Sequence, residues 1–170
     1  MKIIRQFVPE DVCLKCQGCC RFKEADSVWS PCLLDEEVQS FLDKDMPPAY
    51  ISANRRMMLK QDPITQGYVC PCLDIKNNKC QVYLTRPFEC QLYPFLLNLR
   101  SGKVLLTVDL NCPYAKEKIN SDEFRQYIAY LTQLLNTPAY KRILKDNPQI
   151  IQAYEEVTEL IELDPGNEPK

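Results

Sequence analysis

The sequence predicts a one-domain α+β protein. A cysteine-rich region with short antiparallel strands (residues 10–114) is expected to pack against C-terminal α-helices (residues 120–163). Three observations carry that expectation. All ten cysteines lie before Pro113, and the chain beyond it has none. Short apolar runs broken by polar, turn-forming residues fall in the cysteine-bearing part. From Asn120 onward, apolar residues recur instead at helical spacing. A length of 170 residues suits a single domain and suffices to bury about 70% of the unfolded surface.

Taken in order, residues 1–12 form a lead-in with Phe7-Val8-Pro9 as a packing anchor, and the cysteine loop follows at 13–20. Trp29, the sole tryptophan, is expected to be core or cover. A helix is predicted from Asp35, which would cap its first turn, with Val38, Phe41 and Leu42 on one face and Pro47-Pro48 as its stop. A second helix is expected through Tyr50–Met58, with Arg55-Arg56 on a solvated face. Tyr68–Leu73 and Cys80–Tyr83 read as strands joined by the polar turn 74–79, whose asparagines suit positive φ. Thr85 is placed as the cap of a helical turn reaching Cys90, with Pro87 near its start. Phe95–Leu99 and Val104–Val108, flanking Arg100-Ser101-Gly102-Lys103, make the clearest hairpin.

Beyond Cys112-Pro113 the pattern is helical. Asn120 with Glu123 resembles a capping box, followed by Phe124, Ile128, Leu131 and Leu135 at helical spacing. Thr137-Pro138 and Asn147-Pro148 each read as a cap followed by proline at the first helical position. A last helix is expected to bury Ile150, Tyr154, Val157 and Ile161.

Composition narrows the function classes. Apolar residues make up 45% and charged residues 26%, ordinary for a soluble globular protein. A net charge of -2 and a pI near 5.3 argue against a nucleic-acid binder with a basic footprint. No run of 18 apolar residues occurs, so no membrane span is expected, and Met1–Gln6 lacks the apolar core of a secretory signal. A cytoplasmic protein is expected to keep its thiols reduced, and clustered cysteines there point to metal rather than disulfides. Histidine is absent, which excludes histidine-based zinc sites and Cys/His or Ser/His catalysis.

Cys13, Cys16, Cys19 and Cys20 place four thiols within eight residues, with Gly18 letting the backbone turn beside them. A middle set, Cys70, Cys72, Cys80 and Cys90, and two outliers, Cys32 and Cys112, complete the count. A tetrahedral zinc site takes four such ligands in two close pairs. An iron–sulfur cluster takes three from one loop and a fourth from a distant Cys-Pro, for which Cys70-Pro71 and Cys112-Pro113 both qualify. The spacing speaks for metal and leaves zinc or iron–sulfur, in one site or two, open. Sulfurs on the neighbours Cys19 and Cys20 are expected to point different ways.

The Cys-x-x-Cys-x-x-Cys-Cys loop, Cys70-Pro71-x-Leu73, Cys80-x-Val82-Tyr83, Arg86-Pro87-x-x-Cys90, Tyr93-Pro94-Phe95 and Cys112-Pro113, in that order, resemble the YkgJ-type cysteine-cluster family. That family is described as zinc- or iron-chelating and includes the flagellin lysine N-methylases. The resemblance covers about residues 10–114 and implies Cys13, Cys16, Cys19, Cys20, Cys70, Cys80, Cys90 and Cys112 as metal ligands. The chain departs from the pattern at Cys72, where an aromatic residue is usual, at Gln91, where arginine is usual, and at Cys32. Cys32 and Cys72 are accordingly read as buried apolar thiols.

Arg86 is the cofactor-binding candidate among the other residues. A fixed guanidinium would balance a thiolate cluster, and an ion pair with Glu89 is the plainer alternative. Tyr83, Tyr93 and Tyr114 are read as aromatic shielding. No residue is assigned a catalytic role, and no nucleotide-binding fingerprint occurs. The readings are an iron–sulfur protein supporting redox or methylase-like group transfer, a zinc-stabilised module whose C-terminal helices meet a protein partner, or a metal carrier.

Overall fold

The computed structural model describes residues 3–16, 18–43 and 47–164. The fold is α+β, with short antiparallel sheets and C-terminal α-helices. The chain divides into two compact units, Met1–Gln91 and Leu92–Lys170.

The first unit is built from short pieces. Helix α1 (Glu10–Lys15) leads to strand β1 (Arg21–Phe22), helix α2 (Asp35–Leu42) and a 3-10 turn at Pro48–Tyr50. Strands β2 (Lys60–Gln61), β3 (Tyr68–Val69), β4 (Leu73–Asp74) and β5 (Lys79–Cys80) follow, then a 3-10 turn at Tyr83–Thr85 and helix α3 (Phe88–Leu92). β3 lies between β1 and β2, so Val69 faces both Arg21 and Lys60, and β4 pairs with β5. The core gathers Leu33, Phe41, Met57, Val69 and Leu73 with Cys70 and Cys72, against which Cys20 and Cys80 pack. Thiols here occupy positions that aliphatic side chains fill in an ordinary core.

The second unit uses longer elements. Strands β6 (Phe95–Arg100) and β7 (Lys103–Val108) form the expected hairpin, turning through Ser101 (φ 52°) and Gly102 (φ 75°). Two left-handed residues in a two-residue loop match the strands' twist. Helices α4 (Pro113–Lys118), α5 (Asp122–Leu135) and α6 (Pro138–Asp146) follow. Phe124, Tyr127, Leu131 and Leu135 form the buried stripe of α5, and the Phe95 ring sits 5.5 Å from Phe124 and 5.1 Å from Tyr127.

Several local expectations are corrected. Leu34, not Asp35, precedes α2, and its amide is met by Glu37 reaching back (2.9 Å) while Asp35 pairs with Arg55. Ser121 rather than Asn120 caps α5, accepting from the Phe124 amide. No helix runs through Tyr50–Met58. Arg55 adopts a left-handed φ of 62°, and the chain doubles back so that Leu33 N–H donates to Arg55 O and Met57 N–H to Pro31 O. Arg56 is not a solvated ornament either, since its guanidinium donates to the carbonyls of Val28 (2.8 Å) and Ser30 (2.6 Å).

The last expected helix is replaced by a 3-10 turn at Pro148–Ile150 and strand β8 (Thr158–Leu163) on the outer side of β7. Pairing with the exposed edge of β7 satisfies a row of backbone groups at once and overrides the helical spacing of the apolar residues. Glu159 and Glu162 then meet Arg100 and Lys103, each at 2.6 Å.

Candidate metal centre

Three segments of the first unit bring cysteines together, and ordinary backbone pairing explains each. β1 follows Cys20 directly and pairs with β3, which directly precedes Cys70; Cys70 N–H donates to Cys20 O at 3.0 Å. A tight turn, Leu73 N–H to Cys70 O (3.0 Å), holds the Cys70-Pro71-Cys72 segment. Leu73 pairs with Cys80 across β4–β5, and Gln81 N–H donates to Cys72 O at 2.9 Å. Helix α3 supplies Cys90. The loop at 13–20 is thus held by the middle strands, as a shared site needs.

The loop is less irregular than its sequence suggests. Cys13 lies within α1, and Cys16 is its C-cap. The position of Gly18 leaves room for sulfur, because a Cβ there would stand 3.4 Å from Cys16 Sγ. Asn78, in the β4–β5 turn at φ 52°, donates to the carbonyls of Leu14 (3.1 Å) and Cys16 (2.8 Å). Its left-handed conformation was legible as turn chemistry, but its grip on a loop more than sixty residues away was not.

Electrostatics shows which thiols share a neighbourhood. A hydrogen bond with Cys20 first, and then burial of the sulfur, pushes the Cys19 thiol well up. The two sulfurs therefore face each other, contrary to the divergence expected from sequence. Cys70 is pushed well up by a hydrogen bond with the Cys72 thiol and by burial. Burial raises Cys80, partly offset by a hydrogen bond from the Val82 amide. Cys90 is raised well above the thiol range by burial first, then by repulsion from Cys70, Cys19 and Cys80. Cys19, Cys70, Cys80 and Cys90 thus all act on one another.

Arg86 opposes that repulsion, favouring the charged forms of Cys19 and Cys80. Its guanidinium stacks 3.8 Å above the Tyr83 ring, and its Nε is buried with no hydrogen-bond partner. A buried donor without an acceptor calls for an explanation, and a ligand sulfur is one. The cation acting on Glu89 is Arg56, so the alternative pairing of Arg86 with Glu89 finds no support. Gln91, at the position of the missing arginine, donates to Arg86 O (2.8 Å) and accepts from the Ile4 amide (3.1 Å), which fixes the backbone of Arg86.

Of the other cysteines, Cys20 is the hydrogen-bond partner of Cys19, Cys72 that of Cys70, and Cys13 acts on Tyr83. Cys32 and Cys72 are buried as expected, at 1% and 2% exposure. Cys112 is buried in the second unit. Two carboxylates are half-buried beside the thiol-bearing segments: Glu37, pushed up to about 7 by burial, accepts from the amides of Leu34 and Phe88, and Glu89, pushed up to about 8 by burial, accepts from Cys32 N–H. The sequence offered Glu89 only as an ion-pair partner for Arg86, and neither carboxylate carries a local signal of being drawn away from water.

Among the described residues, no three Cys, Asp or Glu side chains are arranged around a common point as ligands. The donor set nonetheless fits a thiophilic ion in kind: soft sulfur, concentrated, with an unpartnered guanidinium nitrogen and repulsion that deprotonated ligands would relieve only on an ion. Residues 12–129 match the CxxCxxCC family, described as "Putative zinc- or iron-chelating domain". The chain belongs to this family. The match is to the chelating domain and lends no support to kinship with the flagellin lysine N-methylases. An uncharacterised protein of Methanocaldococcus jannaschii, MJ0661, is 43% identical over 44 residues, which is 26% of this chain and 24% of that relative. No solved structure matches. No helix among the described residues is long and apolar enough to cross a membrane.

Proposed function

We propose that the chain is a metal-binding module without catalytic activity, holding one zinc ion among Cys19, Cys70, Cys80 and Cys90 as a stitch across the first unit. The observation that carries this reading is the mutual action of those four thiols, drawn from three separate segments. Four sulfurs and no imidazole suit a structural zinc site. The sulfurs close onto the ion when it binds, as expected where metal binding and folding are coupled. Arg86 balances the site's negative charge. A reducing compartment such as the cytoplasm suits this reading, since it keeps thiols available to an ion, and helices α5 and α6 are the surface offered to a protein partner.

An iron–sulfur cluster supporting redox or group-transfer chemistry is the second reading, favoured by the spacing of Cys13, Cys16 and Cys19. Metal analysis and absorbance of protein purified without oxygen separate the two. Colourless protein with about one zinc per chain, lost in Cys19→Ser and Cys90→Ser, is the expected result. Brown protein with iron and acid-labile sulfide would replace zinc by a cluster. Full metal content in both variants would put the site elsewhere.

A further inference from the structure

Strand β7 ends at Val108, which pairs with Thr158 at the start of β8. At that pair the sheet forks: Asp109–Asn111 runs on towards α4, and Glu155–Val157 leads into β8. The fork forms an open cleft of about 440 Å³, within the range of small-molecule sites, whose walls include Asn111, Lys116, Glu155, Glu156 and Val157. Each arm is pinned by a buried polar side chain. Asp109, 4% exposed, accepts from the Asn111 amide (2.8 Å) and the Tyr93 hydroxyl (2.9 Å). Asn98, wholly buried, accepts from the Tyr154 amide (2.9 Å) and donates to the Tyr154 carbonyl (3.1 Å).

Charge distinguishes this fork from the surface beside it. On β8, Glu159 and Glu162 each meet a cation at 2.6 Å. Lys116, Glu155 and Glu156 line one cleft, yet among the described residues none of the three enters an ion pair. The pinned arms thus bring opposite charges to a common cleft and keep them apart. We propose that the fork binds a small zwitterion whose ammonium and carboxylate lie several bonds apart. The ammonium is met by Glu155 and Glu156, the carboxylate by Lys116, and the carbon chain lies against Val157. A ligand of one sign gains at one wall and is opposed at the other, so the pairing selects for both charges. Because the arms are already held, little ordering opposes binding. Solvent screens all three charges, and a dissociation constant of about 1 mM is expected. The cleft shares no residue with the cysteine-bearing segments of the first unit, and this inference is independent of the metal reading.

Full-length, isotope-labelled protein is titrated with ε-aminocaproate, and with hexylamine and caproate as its single-charge counterparts, while backbone amide shifts are followed by NMR. ε-Aminocaproate should move the amides of residues 109–116 and 154–158 together and saturably. Hexylamine and caproate should each bind about fivefold more weakly, as befits the loss of one exposed charge pair. All three charged residues are exposed, so their substitution leaves the fold intact. Lys116→Gln should lower ε-aminocaproate binding to the level of hexylamine, and Glu155→Gln combined with Glu156→Gln should lower it to the level of caproate. Hexylamine binding as tightly as ε-aminocaproate would reduce the cleft to an acidic pair and overturn the proposal. Variants that bind like the native protein would overturn it too, as would the lack of a saturable shift at these residues by about 10 mM.

Discussion

The two units of this chain reach order by different routes. In the second, a hairpin of two six-residue strands with a third strand and a 14-residue helix bury Phe95, Phe124, Leu106 and Leu131 almost completely. Regular elements satisfy the backbone there, and aromatic and aliphatic packing supplies the driving force. Among its described residues the first unit has five strands of two residues each. Beside short backbone pairings, its long-range order draws on side chains gripping backbone, such as Asn78 on Leu14 and Cys16, Arg56 on Val28 and Ser30, and Glu37 on Phe88. Its core also contains thiols whose mutual repulsion rises as they ionise. The contrast teaches that the second unit carries its stability in its own packing, whereas the first leaves room for the proposed ion to add to its own.

The strongest way to break that contrast is to remove the metal. Stripping zinc from the purified, reduced protein should unfold or loosen residues 3–91 while residues 92–164 keep their protection, read by amide hydrogen exchange. The magnitude is the largest expected here, because structural zinc sites contribute on the order of 10 kcal/mol to the folding of small domains. Equal loss of protection in both units would mean that they are one cooperative body. No loss in either would mean that the first unit's packing suffices without metal.

The two units also differed in how much could be read in advance. The hairpin at Phe95–Val108 and the α5 stripe were legible because each is a local pattern whose period matches its element. The last strand was not, because β8 forms only by adding to an edge that sequence periodicity does not reveal. In the first unit the cysteines announced metal chemistry, but spacing along the chain could not say which sulfurs share a neighbourhood. That depends on Val69 facing Arg21 and on Leu73 facing Cys80, pairings between two-residue strands that carry almost no propensity signal. Arg86 was legible from its place beside the cysteines, whereas Gln91, Glu37 and Asn78 were assigned no grip because their partners lie far along the chain.

A second, smaller test sharpens the claim that side-chain grips order the first unit. Asn78→Gly preserves the left-handed turn, so what is lost is the side chain's hydrogen bonds, those to the carbonyls of Leu14 and Cys16 and the longer one from Arg21 (3.4 Å). The expected cost is about 2 kcal/mol, concentrated in exchange protection of residues 10–20, with the second unit unchanged. Asn78→Ala adds backbone strain to the same loss and should be worse than glycine. If glycine matched the native protein, the clasp on the cysteine loop would be incidental.

The smallest expected effect concerns pH and Glu37. Burial lifts this carboxyl to about 7, against an ordinary 4.5, even though the amides of Leu34 and Phe88 favour its charged form. The folded protein therefore holds the proton more tightly than the unfolded chain does. The contribution of Glu37 to stability is full below pH 4.5, falls as pH rises towards 7, and is flat above that. Glu37 is partly accessible, so solvent screening reduces the change to about 1 kcal/mol across the window. Glu37→Gln should remove that slope and leave the larger, burial-driven part of the Glu89 contribution, losing only the part that the charge of Glu37 adds. Urea midpoints at several pH values, compared between variant and native protein, isolate the difference. Because Glu37 joins α2 to the start of α3, a missing slope would mean that this junction opens to water as the carboxyl ionises. The first unit would then yield locally where the second, with no comparable buried carboxyl bridge between its helices among the bonds described, holds its packing.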